Sequence, residues 1–343
     1  MRLFKPSGAV GLELDTGVIR AVEVSGTLRS TALVKAGQVE TPPEAVVEGV
    51  IEDVEAVAGA LDKLWSKAGF GSREVVLGVS NQGVLMRLAN FPKMPGDKLA
   101  KMLRYQAGEY FPIPLEELVL DYAVAGEVRG ETGAHMEVLM VAARQDMLGK
   151  YLQALSAASL TPKVVDASPL ALMRTLPDSR LSGTVILADI SNGMSTLLLV
   201  IGGVPRVVRM MPNVPQYSVG KSDYAVGAVL EAEQQVASAL AEGEPGDLWF
   251  QRGAVLASEI RSSIGYYIAQ REAISVDCLF LSGRGAMVDG LPEFFGSELG
   301  VPVEIINPLA GFKEPVQARN IDWTRRGPAF AATIGLALRG LEN

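Results

Sequence analysis

Two stretches of the chain, 176 residues apart, carry the same strand–turn–strand plan, and this repeat constrains the fold more than any other feature. In the first, Val10-Gly11-Leu12-Glu13-Leu14 runs into the turn Asp15-Thr16-Gly17 and returns as Val18 to Val24. In the second, Val185 to Ala188 lead into Asp189-Ile190-Ser191-Asn192-Gly193, and Met194 to Ile201 return before Gly202-Gly203. Overlaid, Glu13 falls on Asp189, Gly17 on Gly193, Val24 on Val200 and Gly26 on Gly202. Alternation in the first return strand puts Ile19 and Ala21 on one face and Arg20, Val22 and Val24 on the other. An acid closing a strand, a glycine in the turn and a long apolar return all keep register. That indicates an internal duplication at about half the chain length, hence an α/β protein of two equivalent lobes.

The chain is long enough for about two compact units, having 343 residues, 48% of them hydrophobic and 20% charged. A net charge of −8 leaves no basic stripe to neutralise a phosphate backbone, which excludes nucleic acid as a partner. One cysteine, Cys278, rules out an internal disulfide and a thiolate metal site. In its apolar run it reads as a small buried hydrophobe. The single histidine, His135, rules out a histidine-pair metal site. Met1 to Pro6 carry no apolar run of signal-peptide length. The most apolar stretch, Thr184 to Val204, is broken by Asp189 and Asn192. The expectation is a cytosolic protein.

Helical periodicity covers residues 52–68, ended by Gly69 and Gly71. It also covers 97–110 from a capping Asp97, and 146–159 from Asp146 with Met147, Leu148, Tyr151, Leu152 and Leu155 on one face. Residues 223–241 and 254–272 are helical by period, with Glu242 to Asp247 as a breaker between them. The last helix starts at Pro328 and is rich in small residues that permit close contact with a sheet. Strand patterns at Val75–Ser80, Gly83–Leu88, Leu118–Val124 and Met136–Val141, punctuated by Pro92, Pro95, Pro112 and Pro114, mark an insert. The expected partition is 1–80, 149–182 and 325–343 as the first-lobe core and 81–148 as an inserted subdomain. The second lobe is then 183–324, with 204–272 its helical part.

Clefts of actin-like proteins bind nucleotide between two glycine-bearing hairpins, one per lobe, whose backbone N–H groups converge on the phosphates. A glycine-rich strand-to-helix turn lies under the adenosine. The corresponding candidates are Glu13, Asp15, Thr16 and Gly17; Asp189, Ser191, Asn192 and Gly193; and Gly283, Arg284 and Gly285. With these in place, the chain resembles the PilM family of actin-like type IV pilus assembly proteins over nearly its whole length. The resemblance rests on Gly11-Leu12-Glu13-Leu14 with Ile19 to Val24, on Val79-Ser80-Asn81 and on Phe91-Pro92-Lys93-Met94-Pro95. Further matches are Arg104 to Pro114, Leu118 to Tyr122, Val165-Asp166, Ala188-Asp189-Ile190, Gly327 to Phe330 and Gly335 to Arg339. The insert signature is the most specific part.

The resemblance implies an actin-like (ribonuclease H-like) duplicated fold with an insert in the first lobe. It implies a cytoplasmic scaffold that captures the N-terminal tail of a bitopic PilN-like partner, through which it joins the inner-membrane platform and the assembly motor ATPases. Membrane attachment would come only through that partner. Carried onto this chain, the tail groove would be lined by Asn81, Leu85, Arg87, Met102, Tyr105 and Phe111. The residues alone leave open that Leu85, Met102 and Phe111 are subdomain core and that Asn81 is a turn former.

The family binds ATP, and here the chain departs from its pattern. Where the first hairpin has acid-x-glycine, this chain has Glu13-Leu14-Asp15. A carboxylate about 4 Å from a phosphate costs roughly 4 kcal/mol at an effective dielectric of about 20. That is on the order of a thousandfold in affinity unless a cation intervenes. Ser191 and Arg284 replace glycines, and Glu233-Gln234-Gln235-Val236 lacks the lysine expected beside the ribose. Two readings follow: hairpins kept as architecture around a decayed pocket, or weakened ATP binding with Mg²⁺ held through water near Glu13 and Asp189. A sugar kinase of the same fold would need intact glycine hairpins and a positioned general base, and none is found. A division-type actin such as FtsA would carry an amphipathic membrane helix beyond the last fold helix.

Overall fold

The computed structural model describes residues 8–130, 133–191, 193–212, 245–270, 275–313, 316–318 and 320–342. The first hairpin is β1 (Gly8–Asp15) and β2 (Val18–Thr27), followed by β3 (Ser30–Glu40). After the short β4 (Val46–Val47) and β5 (Val50–Ile51) comes α1 (Val54–Ala68). The Asp53 carboxylate caps it by accepting from the Ala56 amide at 2.9 Å, and Gly69 ends it at φ +62°. Next is β6 (Glu74–Val79). The insert is then β7 (Val84–Pro92), α2 (Gly96–Tyr110), β8 (Leu118–Gly130) and β9 (Gly133–Arg144). The first lobe continues with α3 (Gln145–Ala157), β10 (Thr161–Ala167), α4 (Ser168–Met173) and α5 (Asp178–Leu181). The second lobe follows as β11 (Thr184–Ile190), β12 (Met194–Ile201), β13 (Val204–Pro212), α6 (Pro245–Gln270), β14 (Cys278–Gly283), α7 (Leu291–Leu299) and β15 (Val303–Ile305). The chain closes with α8 (Trp323–Arg326) and α9 (Ala331–Arg339).

The repeat is present in the strand pairing itself. The first sheet runs β10-β6-β1-β2-β3 and the second β15-β14-β11-β12-β13, which is the same order. Glu13 pairs with Arg20 across the first hairpin and Asp189 with Thr196 across the second, so both members shift by the same 176 positions. Each hairpin also takes a parallel neighbour at the acid, Glu13 against Gly78 and Asp189 against Ser282.

Each lobe buries its sheet against helices. Val10, Leu12, Leu14, Ile19 and Ala21 pack under α1 and α3, while Ala9, Val22 and Val24 face α9. Eight of the nine residues of α9 are buried. A Cβ on Gly11 would lie 2.2 Å from the Thr333 carbonyl oxygen, and one on Gly335 only 1.9 Å from that of Ala171. The small residues of this helix therefore permit backbone-to-backbone contact, as the sequence suggests.

The insert is a three-stranded sheet, β7-β9-β8, with α2 on one face. Leu85, Ala89 and Phe91 pack toward α2, while Val84, Met86 and Leu88 pack toward the first-lobe core. Strand β13 of the second lobe comes against this second face. There Arg206 pairs with Glu137, side chains 12% and 3% exposed, and Ser80 Oγ lies 3.3 Å from Thr196 Oγ1.

Several expectations need correction. Helix α2 starts at Gly96 after Pro95 with no side-chain cap, so Asp97 lies inside the first turn, where its charge meets the helix dipole. Asp146 likewise sits within α3 and forms a two-pronged pair with Arg144 at 2.8 and 3.0 Å. Leu152 is 43% exposed, a residue off the face that buries Met147, Tyr151, Ala154 and Leu155. Helix α6 begins at Pro245, so Pro245-Gly246-Asp247 open that helix instead of breaking it. Residues 204–212, grouped with the helical part, form the edge strand β13. The helix expected over 223–241 lies outside the described residues.

Candidate functional site

Strands β1 and β11 end side by side at the bottom of the cleft between the lobes, which brings Glu13, Asp15 and Asp189 to one small cavity. Ser80, Ser168 and Thr196 complete its polar wall. The cavity volume is about 20 Å³, room for one or two waters. The buried Ser168 hydroxyl has no protein partner and is suited to such a water. Among the described residues no three His, Cys, Asp or Glu side chains gather in a metal-binding geometry.

Each acid has a distinct environment. Glu13 Oε2 accepts from Thr333 Oγ1 at 3.0 Å. Burial first, then the charge of Asp189, pushes the Glu13 carboxyl up to about 8; Arg20, its cross-strand neighbour, works in the opposite sense. Asp189 is held on both oxygens, by Ser282 Oγ at 2.7 Å and by Ser191 Oγ at 2.6 Å. Ser191, standing where a glycine is expected, thus ties down the second-lobe acid.

Asp15 does more than stand near the phosphate position. Its Oδ1 accepts from the Thr16 amide at 2.8 Å and, across the cleft, from the Gly193 amide at 3.4 Å, the long end of the range. Its carbonyl oxygen accepts from Thr41 Oγ1 at 2.8 Å. The two turns touch: a Cβ on Gly193 would lie 2.2 Å from Thr16 Oγ1. Gly17 supplies the left-handed bend at φ +79°.

The third motif has the expected position but a different use. Gly283 has φ +78°, and a Cβ there would meet the Ile190 carbonyl oxygen at 2.5 Å. A Cβ on Gly285 would meet the Ile190 side chain at 2.6 Å. These glycines let the turn close onto the second hairpin, with the half-buried Arg284 between them. Asn192 and Glu233 lie outside the described residues. A nucleotide's triphosphate does not fit this arrangement. Asp15 stands where its phosphates would lie, and that carboxylate already takes an amide from each turn.

The proposed groove residues separate into two groups. Asn81 is fully buried: its Nδ2 donates to the Gly49 carbonyl at 3.0 Å and its Oδ1 accepts from the Gly83 amide at 2.8 Å. Its buried side chain holds a turn, which is the alternative to a groove residue that the sequence leaves open. Phe111 is also core, packed with Leu99, Leu103 and Ala107. Leu85 and Met102 are half-buried at the border of that cluster. Arg87 is exposed on the α2-facing side of β7, and Tyr105, three residues from Met102 on one flank of α2, is 91% exposed. Thr333 and Ser282, which donate to the two acids, and Ser168, which lines the cavity, are not among the candidate site residues that the sequence offers. Each is an isolated hydroxyl in an apolar or small-residue run, and no local pattern marks it.

Two equivalent lobes meeting at paired hairpin turns, with an insert in the first, define the actin-like fold. Residues 11–204 and 250–341 match the family described as type IV pilus assembly protein PilM, and the chain belongs to that family. It is similar to a solved PilM–PilN type IV pilus biogenesis complex chain, at 29% identity over 99% of this chain and 100% of that one, with a TM-score of 0.82. More distant solved structures include MreB 5 of Spiroplasma citri bound to AMPPNP (10% identity, 96% of this chain and 95% of that one, TM-score 0.49). Another is the cytoplasmic domain of EpsL, an inner-membrane component of the type II secretion system of Vibrio cholerae (12%, 97% and 95%, TM-score 0.47). No helix among the described residues is long and apolar enough to cross a membrane.

Proposed function

We propose that this chain is a scaffold at the cytoplasmic face of a type IV pilus assembly platform. It captures the N-terminal tail of a bitopic PilN-like membrane protein and, through that protein, reaches the assembly motors. The observation that carries this reading is the end-to-end likeness to PilM in a PilM–PilN complex. A second support is the surface left on the insert, taken as residues 81–148, after the core residues are set aside. Leu85 and Met102 supply half-buried apolar ground, Arg87 a cation and Tyr105 a protruding aromatic ring. Apolar footholds with a few polar groups to fix a backbone are what peptide capture needs. The cleft serves this scaffold as architecture, with Thr333, Ser282 and Ser191 and the amides of Thr16 and Gly193 engaged by the chain's own carboxylates.

The test is binding of a synthetic peptide of the PilN-like tail, measured by calorimetry. Tyr105→Ala and Arg87→Ala should each weaken it at least about tenfold, roughly 1.4 kcal/mol. Both positions are exposed, so stability should move by no more than about 0.5 kcal/mol. Unchanged affinity in both variants would sink the assignment of this surface.

A further inference from the structure

We propose that the Asp15 carboxylate is a built-in substitute for a nucleotide's phosphate, clasping the turn of one lobe to the turn of the other so that the cleft closes without nucleotide. The inference goes beyond tail capture and stands independently of it.

Four observations carry it. A single oxygen, Asp15 Oδ1, receives the Thr16 amide of its own turn and the Gly193 amide of the opposite one. Hairpin amides that converge on one anionic oxygen form the kind of nest that binds phosphate, and here the anion is covalently part of the chain. Second, the turns are in direct contact, since nothing larger than hydrogen fits at Gly193 beside Thr16 Oγ1. Third, the second-lobe acid is not available to hold the turns apart, because Ser282 and Ser191 engage both its oxygens. Fourth, the closure is secured further along the same seam by Ser80 against Thr196 and by the Arg206–Glu137 pair.

A nucleotide-gated protein must keep these amides available for its ligand. With a tethered carboxylate on them, a free anion must displace an intramolecular contact before it can bind. Closure then becomes a fixed property of the chain and not a response to a cofactor.

The experiment uses the full chain with Asp15→Gly and, separately, Gly193→Ala. The second variant leaves the carboxylate in place but drives a methyl group into Thr16, so it remains informative should Asp15→Gly fail to fold. Hydrogen exchange of the backbone amides from Thr16 to Val18 and from Gly193 to Thr196 is followed without nucleotide. It should accelerate at least about tenfold in either variant, a local change of roughly 1.4 kcal/mol. With millimolar MgATP as probe, the wild type should show no shift in melting temperature, and Asp15→Gly should gain one. Exchange unchanged in both variants, or a MgATP-dependent shift in the wild type, overturns the clasp. Tail-peptide binding, read separately, is untouched by either result.

Discussion

Glu13 and Asp189 occupy equivalent places in the two lobes, and each sits on the wall of the same cavity, so the duplication sets two carboxyl groups against each other. Burial and the Asp189 charge raise the Glu13 carboxyl to about 8, from an ordinary value of 4.5. The folded chain therefore keeps a proton that the unfolded chain releases near pH 4.5. The stabilisation is fully present below that value and is lost progressively as pH rises through about 8. Glu13→Gln keeps an acceptor for Thr333 and removes the titration. Denaturant unfolding at several pH values should show the variant gaining on the wild type between pH 5 and 9; parallel pH profiles would contradict the protonated state.

Asn81→Ala removes a buried amide that satisfies the Gly49 carbonyl and the Gly83 amide. The expected loss is about 1–3 kcal/mol of stability, because two buried backbone groups lose a partner. Chemical denaturation gives the stability, and tail-peptide affinity in the folded variant should remain at the wild-type level.

The Arg206–Glu137 pair links β13 of the second lobe to β9 of the insert. Arg206→Ala takes a cation from a buried carboxylate and should destabilise by about 3 kcal/mol. Replacing both residues, as Arg206→Met with Glu137→Leu, should recover much of that loss. A double variant no better than the single one would show that the pair is not the source of the penalty.

Gly335→Ala places a methyl group against the Ala171 carbonyl oxygen, both ends being main chain that cannot rotate away. Overpacking of this kind should destabilise by about 3 kcal/mol, seen as a lower denaturation midpoint. Gly149→Ala in α3, half-buried but where a Cβ meets nothing within 4 Å, is the control and should be neutral or slightly stabilising.

Much of this architecture is legible in the sequence. The hairpin repeat could be read because alternating apolar residues and turn glycines hold a constant offset, and pairing of Glu13 with Arg20 and Asp189 with Thr196 follows from it. Helix α1 is legible because its apolar residues recur at helical spacing and Gly69 ends it; the Asp53 cap is seen only in the structure. Asp97 and Asp146 lie in the first turn and not at the cap: an acid suits both places, and the pattern does not separate neighbouring positions. The sequence leaves Asn81 open between groove and turn, since its burial depends on a loop some thirty residues earlier. The charge of Asp15 at the phosphate position was visible in the sequence. Its engagement of Gly193, 178 positions away, was not, because only the docking of two lobes creates it.

The fit of α9 has a mechanical consequence. Ala331 and Ala332 bed against Leu187, Leu198 and Phe280 of the second lobe, while Ile334 and Ala337 bed against Val22 and Val24 of the first. With main chain touching main chain at Gly11 and Gly335, there is no slack for the helix to slide. The closing helix is thereby keyed to the first lobe, and Ala331 and Ala332 carry its position across to the second, so one short segment registers both halves of the molecule.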